Sequence, residues 1–250
     1  MKKIVILISL LLVTSSYALV GFGVHGGLDL MEVDKINKEF KFDFGDKEAT
    51  YSLEREAIEN PVAFGAQLYF DFPIFPLGLE AGYYMAVQKY RWIAPKDLQV
   101  GNESIPLDFS DIDTSGNSYN HEFTYARASV DATLKYYFLE LPPAVNLMRF
   151  YLGAGVGVHF ITPLVSEQFF EDELSEMSNS SSNQLSLDVE DLVKSKTTFG
   201  AHFGVGTMID IPVLPISLNV DYRYTITKEN EYGDETSNFS TIRGSLNFYL

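Results

Sequence analysis

The chain lacks cysteine and has few basic residues, and both features exclude classes of protein. Without cysteine, its 250 residues cannot form a disulfide scaffold, a thiolate metal site or a cysteine nucleophile. The 34 acidic residues outnumber the 18 basic ones, which gives a formal net charge of -16. An acidic surface repels phosphates, so the composition argues against nucleic acid as a partner.

Long apolar runs are also missing, apart from a short one at the N-terminus. Lys2 and Lys3 precede a largely apolar run over 4–13, and Ser16 and Ala18 place small residues where a signal peptidase reads them. We therefore predict a secretory signal over residues 1–18. The run is too short to cross a bilayer as a helix, and no later segment reaches the roughly 18 apolar residues required. An exported chain of this type is expected in the envelope of a Gram-negative bacterium.

The rest of the chain is dominated by a period of two. Apolar residues alternate with small, polar or charged ones in eight segments, as they do in strands with two unlike faces. The predicted strands are Gly21–Met31, Val62–Phe72, Leu77–Arg91, Phe123–Leu139, Arg149–Thr162, Thr197–Ile211, Ile216–Lys228 and Phe239–Leu250.

Short and long connections alternate between these strands. Three connections are short, and two of them share a repeated sequence in which Asp71-Phe72-Pro73 is echoed by Asp210-Ile211-Pro212. Proline at both corners of these connections favours tight turns. The other four connections, at 32–60, 93–122, 163–196 and 229–238, are longer, and Ser178–Asn183 within the third is expected to be disordered. An even number of strands with this alternation is typical of outer-membrane barrels.

The parity of the pattern does not say which face points inward, but side-chain volume does. The apolar positions carry too many bulky residues to fit inside eight strands, whereas the other positions are rich in glycine and in charges of both signs. When Lys228 is counted with the fourth of the longer connections, seven acidic residues balance seven basic ones outside these connections and the signal segment. We therefore predict an interior closed by ion pairs, and Glu80 with Lys135 is the first candidate pair.

Two further segments carry a resemblance to a known family. The run Tyr151-Leu152-Gly153-Ala154-Gly155-Val156-Gly157 and the ending Ser245-Leu246-Asn247-Phe248-Tyr249-Leu250 are similar to strands of the OmpA-like and OmpX-like eight-stranded outer-membrane barrels. The resemblance covers Leu19 to Leu250, although Leu250 stands where an aromatic residue is usual. No peptidoglycan-binding domain is expected.

The resemblance implies an all-β fold over residues 19–250. This fold is an eight-stranded antiparallel up-and-down transmembrane β-barrel with short periplasmic turns and long acidic extracellular loops. Its expected partners are outer-membrane lipid, lipopolysaccharide and the barrel assembly machinery that reads the C-terminal segment. The expected role is non-enzymatic, either structural or in surface interaction. The acidity of the loops does not identify a ligand for them.

Three histidines raise an alternative, a lipid-modifying barrel enzyme. Such an enzyme, a lipid A deacylase, would use a histidine, a serine and an acid near the outer rim, on the lipid-facing side. His25, His159 and His202 all fall on the inward parity. We therefore predict hydrogen-bonded interior residues and no catalytic site. A narrow small-solute channel is the other alternative, although eight strands leave little free space between their side chains.

One long connection contains a candidate calcium loop. In the twelve residues from Asp111 to Glu122, oxygen-bearing side chains occupy positions 1, 3, 5 and 12 and glycine occupies position 6. Asp111, Asp113, Ser115 and Glu122 are therefore candidate Ca2+ ligands. A polar loop rich in turn residues is the competing interpretation, because no helices flank the segment.

Overall fold

The computed structural model describes residues 20–44, 47–72, 75–109, 114–115, 118–142, 147–162, 185–187, 196–228 and 238–250. Over these residues the chain forms strands and turns but no helix, which confirms the predicted all-β class. In this part of the chain no helix is long and apolar enough to cross a bilayer. The predicted signal segment and Ser178–Asn183 lie outside the described residues.

The described part of the chain contains strands of very different length. In chain order they are β1 (Val20–Leu30), β2 (Glu32–Val33), β3 (Ile36–Phe44), β4 (Lys47–Arg55), β5 (Ile58–Glu59), β6 (Val62–Asp71), β7 (Leu77–Pro95), β8 (Asp97–Val100), β9 (Glu103–Phe109), β10 (Thr114–Ser115), β11 (Ser118–Leu141), β12 (Met148–Ile161), β13 (Leu185–Leu187), β14 (Lys196–Asp210), β15 (Ile216–Thr227) and β16 (Asn238–Tyr249).

The eight longest strands form a closed ring. Each pairs antiparallel with the next of the eight along the chain, in the order β1, β6, β7, β11, β12, β14, β15 and β16. The last strand then pairs with the first, from Gly21 opposite Tyr249 to Leu30 opposite Ser240, so the ring has no open edge. These eight strands are the eight predicted segments. The main difference is that β7 and β11 extend about four residues beyond the predicted ends, to Pro95 and from Ser118.

Burial along the strands shows which face points inward. In β12 the apolar residues Leu152 and Val156 are exposed, whereas the alternating Tyr151 and His159 are buried. The same inversion holds around the ring below the upper strand ends, where most valine, leucine, isoleucine and phenylalanine side chains face outward and most charged residues of the eight strands face inward. This confirms the volume argument, because a narrow ring cannot enclose its bulky parity.

Inward glycines make room for the inward imidazoles. The His202 ring lies across Gly155, which is directly opposite it on the neighbouring strand, and His25 lies across Gly65 in the same way. A Cβ atom at either glycine would overlap both the imidazole and a backbone carbonyl oxygen. Glycine is therefore required at these positions by close approach.

We expect replacement of Gly155 by alanine to destabilise the ring. The new methyl group would overlap the carbonyl oxygen of Ala132 and the His202 ring, so a strand must shift. Overpacking of this kind costs about 1–3 kcal/mol, which a urea titration of the refolded protein would measure. Gly244→Ala is the matched control, because no atom lies within 4 Å of a Cβ built there. Equal losses in the two variants would contradict the explanation.

The first long connection is folded, which the sequence analysis did not predict. Strands β3 and β4 form a hairpin, and β4 continues the sheet by pairing with β7 and β8. The alternation in Lys47–Arg55 is regular, but charged residues within and around it obscured the signal. The prediction that 32–60 and 93–122 are loops is therefore wrong, because both contain paired strands, among them the β8–β9 hairpin in the second. The apolar residues of these strands have a surface to pack on above β7 and β11.

We call the end of the ring that carries the longer connections the upper end. The added strands build a hydrophobic cluster at this end, which we call the upper cluster. Trp92 and Leu98 in it are fully buried, and Ile161 on β12 and Phe239 on β16 also belong to it. Its members are Met31, Val33, Phe40, Ala49, Tyr51, Leu53, Ile58, Tyr90, Trp92, Ala94, Leu98, Val100, Tyr119, Phe123, Tyr125, Ile161 and Phe239.

Candidate functional site

Six charged side chains meet in the middle of the ring and form what we call the interior network. They lie on β7, β11, β15 and β16 at inward positions of the alternation, and all six are buried. Three are acidic and three are basic, so the network is neutral as a whole. Its members are Glu80, Asp131, Lys135, Asp221, Arg223 and Arg243.

Glu80 is the centre of this network. Its Oε1 accepts hydrogen bonds of 3.1 Å from both Arg223 and Arg243, and its Oε2 lies 2.5 Å from Nζ of Lys135. The predicted pairing of Glu80 with Lys135 is therefore confirmed. The two arginines that share Glu80 are a feature that sequence reasoning missed, since they lie on strands across the ring.

The outer members of the network balance the remaining charge. Arg223 donates to Asp131 over 2.9 Å, and Nε of Arg243 donates to Asp221 over 3.0 Å. Each cation of the network therefore has at least one buried carboxylate against it. Buried ions need this compensation, because desolvation of an unpaired charge costs several kcal/mol.

A second ion pair lies above the network, below the upper cluster. Arg127 on β11 bonds to Asp29 on β1, and Thr241 donates to the same carboxylate over 3.0 Å. The Arg127 guanidinium also lies 3.1 Å from the ring centroid of Phe239, a member of the upper cluster. The polar interior and the upper cluster are therefore in direct contact.

A third group of charges closes the lower end, where the short turns lie; we call it the lower clasp. Arg149 on β12 donates to Asp71 over 2.9 Å and lies 3.3 Å from Asp210. Tyr137 donates to Asp71 over 2.8 Å, and Tyr249 bonds to Asp210. The two aspartates are the matching residues of the repeated turn sequence, so the repeat was the signal from which this site could have been found.

A small cavity lies next to these groups in the described part of the ring. This cavity of about 10 Å3 lies beside the network, lined in part by Thr133, Tyr151, His202 and Asp221. A cavity of that size has room for about one water molecule. The six side chains of the network are buried beside this cavity, so they occupy the interior of the ring at this level.

His25, His159 and His202 are buried and face inward, as predicted. Nδ1 of His159 lies 2.8 Å from Oγ of Ser129, and Nε2 of His202 lies 2.8 Å from Oγ1 of Thr133. His25 is buried beside Gly65 and Tyr84.

The candidate calcium loop is only partly covered by the structure. Asp111 and Asp113 lie outside the described residues, and Ser115 lies in the two-residue strand β10. Glu122 is exposed and pairs with Lys89 over 2.5 Å, and this hydrogen bond lowers the pKa of the Glu122 carboxyl. Within the described ranges no group of three or more histidines and acids is arranged to hold a metal ion. Calcium binding by Asp111, Asp113, Ser115 and Glu122 stays a prediction.

The chain is similar to known proteins in structure but not in sequence. No protein-family model matches the chain, and no curated protein sequence matches it. Twenty solved chains match its fold. Among them, Neisserial surface protein A is 11% identical with a TM-score of 0.41, over 94% of this chain and 98% of its own.

Two further likenesses are to proteins of Pseudomonas aeruginosa. The N-terminal β-barrel domain of OprF is 12% identical with a TM-score of 0.36, over 91% of this chain and 99% of that one. The outer membrane protein OprG is 12% identical with a TM-score of 0.40, over 94% and 99%. At TM-scores below 0.5, none of these likenesses decides the family or the function of this chain.

Proposed function

We propose that this chain is a membrane-spanning β-barrel of the bacterial outer membrane with a non-enzymatic role, structural or in surface interaction. The observation that carries the proposal is the inversion of the ring. Its outward face is a continuous apolar band, and its charged residues are paired inside. Water favours the reverse arrangement, whereas lipid requires this one.

The height of the apolar band supports the same proposal. On β7 the outward residues from Leu79 to Val87 are uncharged, and Lys89 follows them. Nine residues at about 3.3 Å each, tilted by about 40°, span roughly 23 Å. Outer-membrane barrels present an apolar band of about 25 Å, so the band fits such a bilayer.

The two ends of the ring support an orientation. The described chain enters at Val20 and ends at Leu250 on the lower end, where Leu250 donates its N–H to the carbonyl oxygen of Val20. Both ends and the short turns would lie in the periplasm, and the acidic connections would face outward. Surface contact through the strands and connections of the upper end is then the proposed role.

No specific observation favours either alternative, the small-solute channel or the lipid-modifying enzyme. The paired charges fill the ring where a channel would need an open path, and the imidazoles point away from lipid. Planar-bilayer recordings with the refolded protein would test the first alternative, and mass spectrometry of lipid A the second. A steady single-channel conductance or a deacylated lipid A would contradict the proposal.

Gel mobility of the refolded mature chain in detergent is the direct test. We expect unboiled protein to migrate faster than boiled protein, because a closed ring held by its full ladder of hydrogen bonds resists detergent until heated. Membrane fractionation of expressing cells should place the chain with the outer membrane. A single mobility under all refolding conditions, with the chain in the soluble fraction, would contradict the proposal.

The same gel tests the calcium prediction. If Asp111, Asp113, Ser115 and Glu122 bind Ca2+, the unfolding temperature should rise with added calcium and fall with chelator, since a ligand that binds only the folded state stabilises it. Asp111→Asn with Asp113→Asn should remove the difference. An unfolding temperature that changes with neither calcium nor chelator would favour the polar-loop interpretation.

A further inference from the structure

The lower end of the ring exposes apolar side chains beyond the strands. Val213 is fully exposed and Phe75 is 62% exposed, although both lie in turns that a periplasmic location would place in water. The exposed apolar residues of this end, called here the lower rim, are Phe72, Phe75, Leu141, Val213, Leu214 and Leu250.

The turns of this end carry little charge, because the charged residues of the lower clasp lie in the strands next to them. Among the described residues at 72–76, 139–142 and 211–215, Glu140 is the only charged one, and it is partly buried. The upper connections, by contrast, carry most of the acidic residues of the chain. An apolar, uncharged rim is the composition of a surface that is covered by something other than water.

The backbone at Val213 is held by a β-turn, in which the N–H of Leu214 donates to the carbonyl oxygen of Ile211 over 3.2 Å. Its φ is 73°, in the left-handed region that β-branched residues rarely adopt. Glycine or asparagine would occupy this position with less strain. The turn therefore imposes this conformation and leaves a fully exposed apolar side chain at the tip of the lower end.

The lower rim is continuous with the apolar band. Phe72 follows Phe70 on the outward parity, and their rings meet edge to face with centroids 4.9 Å apart. Phe75 lies four residues below Leu79, where the band begins on β7. Because the band already accounts for the hydrocarbon thickness, the rim falls within the next layer, where lipid headgroups meet acyl chains.

We propose that the lower rim is a lipid-binding surface, inserted in the interfacial layer of the inner leaflet. The inference rests on the proposed membrane location. Aromatic and aliphatic side chains without charge suit this layer, which accommodates apolar faces at the boundary of headgroups and chains. The turns would then act as anchors that fix the depth of the ring in the bilayer.

Spin labels at single cysteines test this depth directly, because the natural chain has no cysteine. Phe75→Cys and Val213→Cys place a nitroxide on the lower rim. Val156→Cys places one in the middle of the apolar band, and Ser52→Cys places one on the exposed face of β4. The labelled mature chain is reconstituted in phosphatidylcholine vesicles, and collisions with oxygen and with a water-soluble nickel chelate are measured.

The two controls separate failure of the inference from failure of the proposed function. We expect the oxygen-to-nickel ratio to be highest at position 156, lowest at position 52, and several-fold above the latter at positions 75 and 213. If position 156 is lipid-exposed but 75 and 213 match position 52, the rim projects into water and the inference is overturned, which would leave a periplasmic protein as its partner. If position 156 also matches position 52, the membrane location itself fails.

Discussion

Replacement of Glu80 by glutamine should cause the largest loss of stability of any single charge change in the ring. Arg223 and Arg243 would keep Asp131 and Asp221, but Lys135 would lose the carboxylate 2.5 Å from its ammonium group. The Tyr151 ring, 4.6 Å from that ammonium, is then its nearest compensation. Removal of one partner from a buried pair costs about 3–5 kcal/mol. Urea titration followed by gel mobility would measure the loss.

A double variant separates the charge effect from a packing effect. Glu80→Gln combined with Lys135→Gln removes both charges, and we expect it to recover most of the stability, because loss of a whole buried pair is often close to neutral. Lys89→Gln is the exposed control, since its pair with Glu122 is open to solvent and should contribute little. A double variant as unstable as Glu80→Gln would show that shape at position 80, and not charge balance, is what the interior requires.

Replacement of Val156 by arginine should be nearly as damaging, although the side chain touches little of the protein. Val156 is 65% exposed near the middle of the outward face of β12. In a membrane barrel a cation at that depth costs about 2–4 kcal/mol, because it must leave water for hydrocarbon. Urea titration of the protein folded in phospholipid vesicles, against the natural chain, would measure this cost.

The same substitution distinguishes lipid from water around the ring. Ser52→Arg, on the exposed face of β4 above the band, should leave the free energy of unfolding unchanged in the same vesicles. Val156→Leu should also be tolerated, since it keeps the surface apolar. If Val156→Arg is neutral in vesicles, the outward face does not meet hydrocarbon and the proposed membrane location is wrong.

Only some contacts of the interior network could be predicted from the sequence. The alternation placed Glu80 and Lys135 on the inward face of neighbouring strands, and short connections set their relative height, so their pairing could be predicted. Arg243 comes to Glu80 from 163 residues away along the chain. That contact follows only from closure of the ring between β16 and β1, which brings opposite walls within reach of one side chain.

The strands of the upper cluster could not be predicted from the sequence. Its strands β3 and β4 carry an alternation that dense charge conceals, and their apolar face has value only where β7 and β11 rise beyond the ring to receive it. The local sequence pattern does not show whether such a surface is present, since strand stability comes mainly from packing against neighbours. The connection was therefore expected to be a loop.

The sequence by itself determined the number of ring strands, their order along the chain, their approximate ends and the identity of the two faces, because each depends on a period of two and on side-chain volume. Tertiary structure alone decided that Asp71 and Asp210, two copies of one turn sequence, share Arg149 at the lower end. It also decided which carboxylate meets which cation inside. Those contacts join residues far apart in sequence, and their distances are set by the curvature and register of the closed sheet.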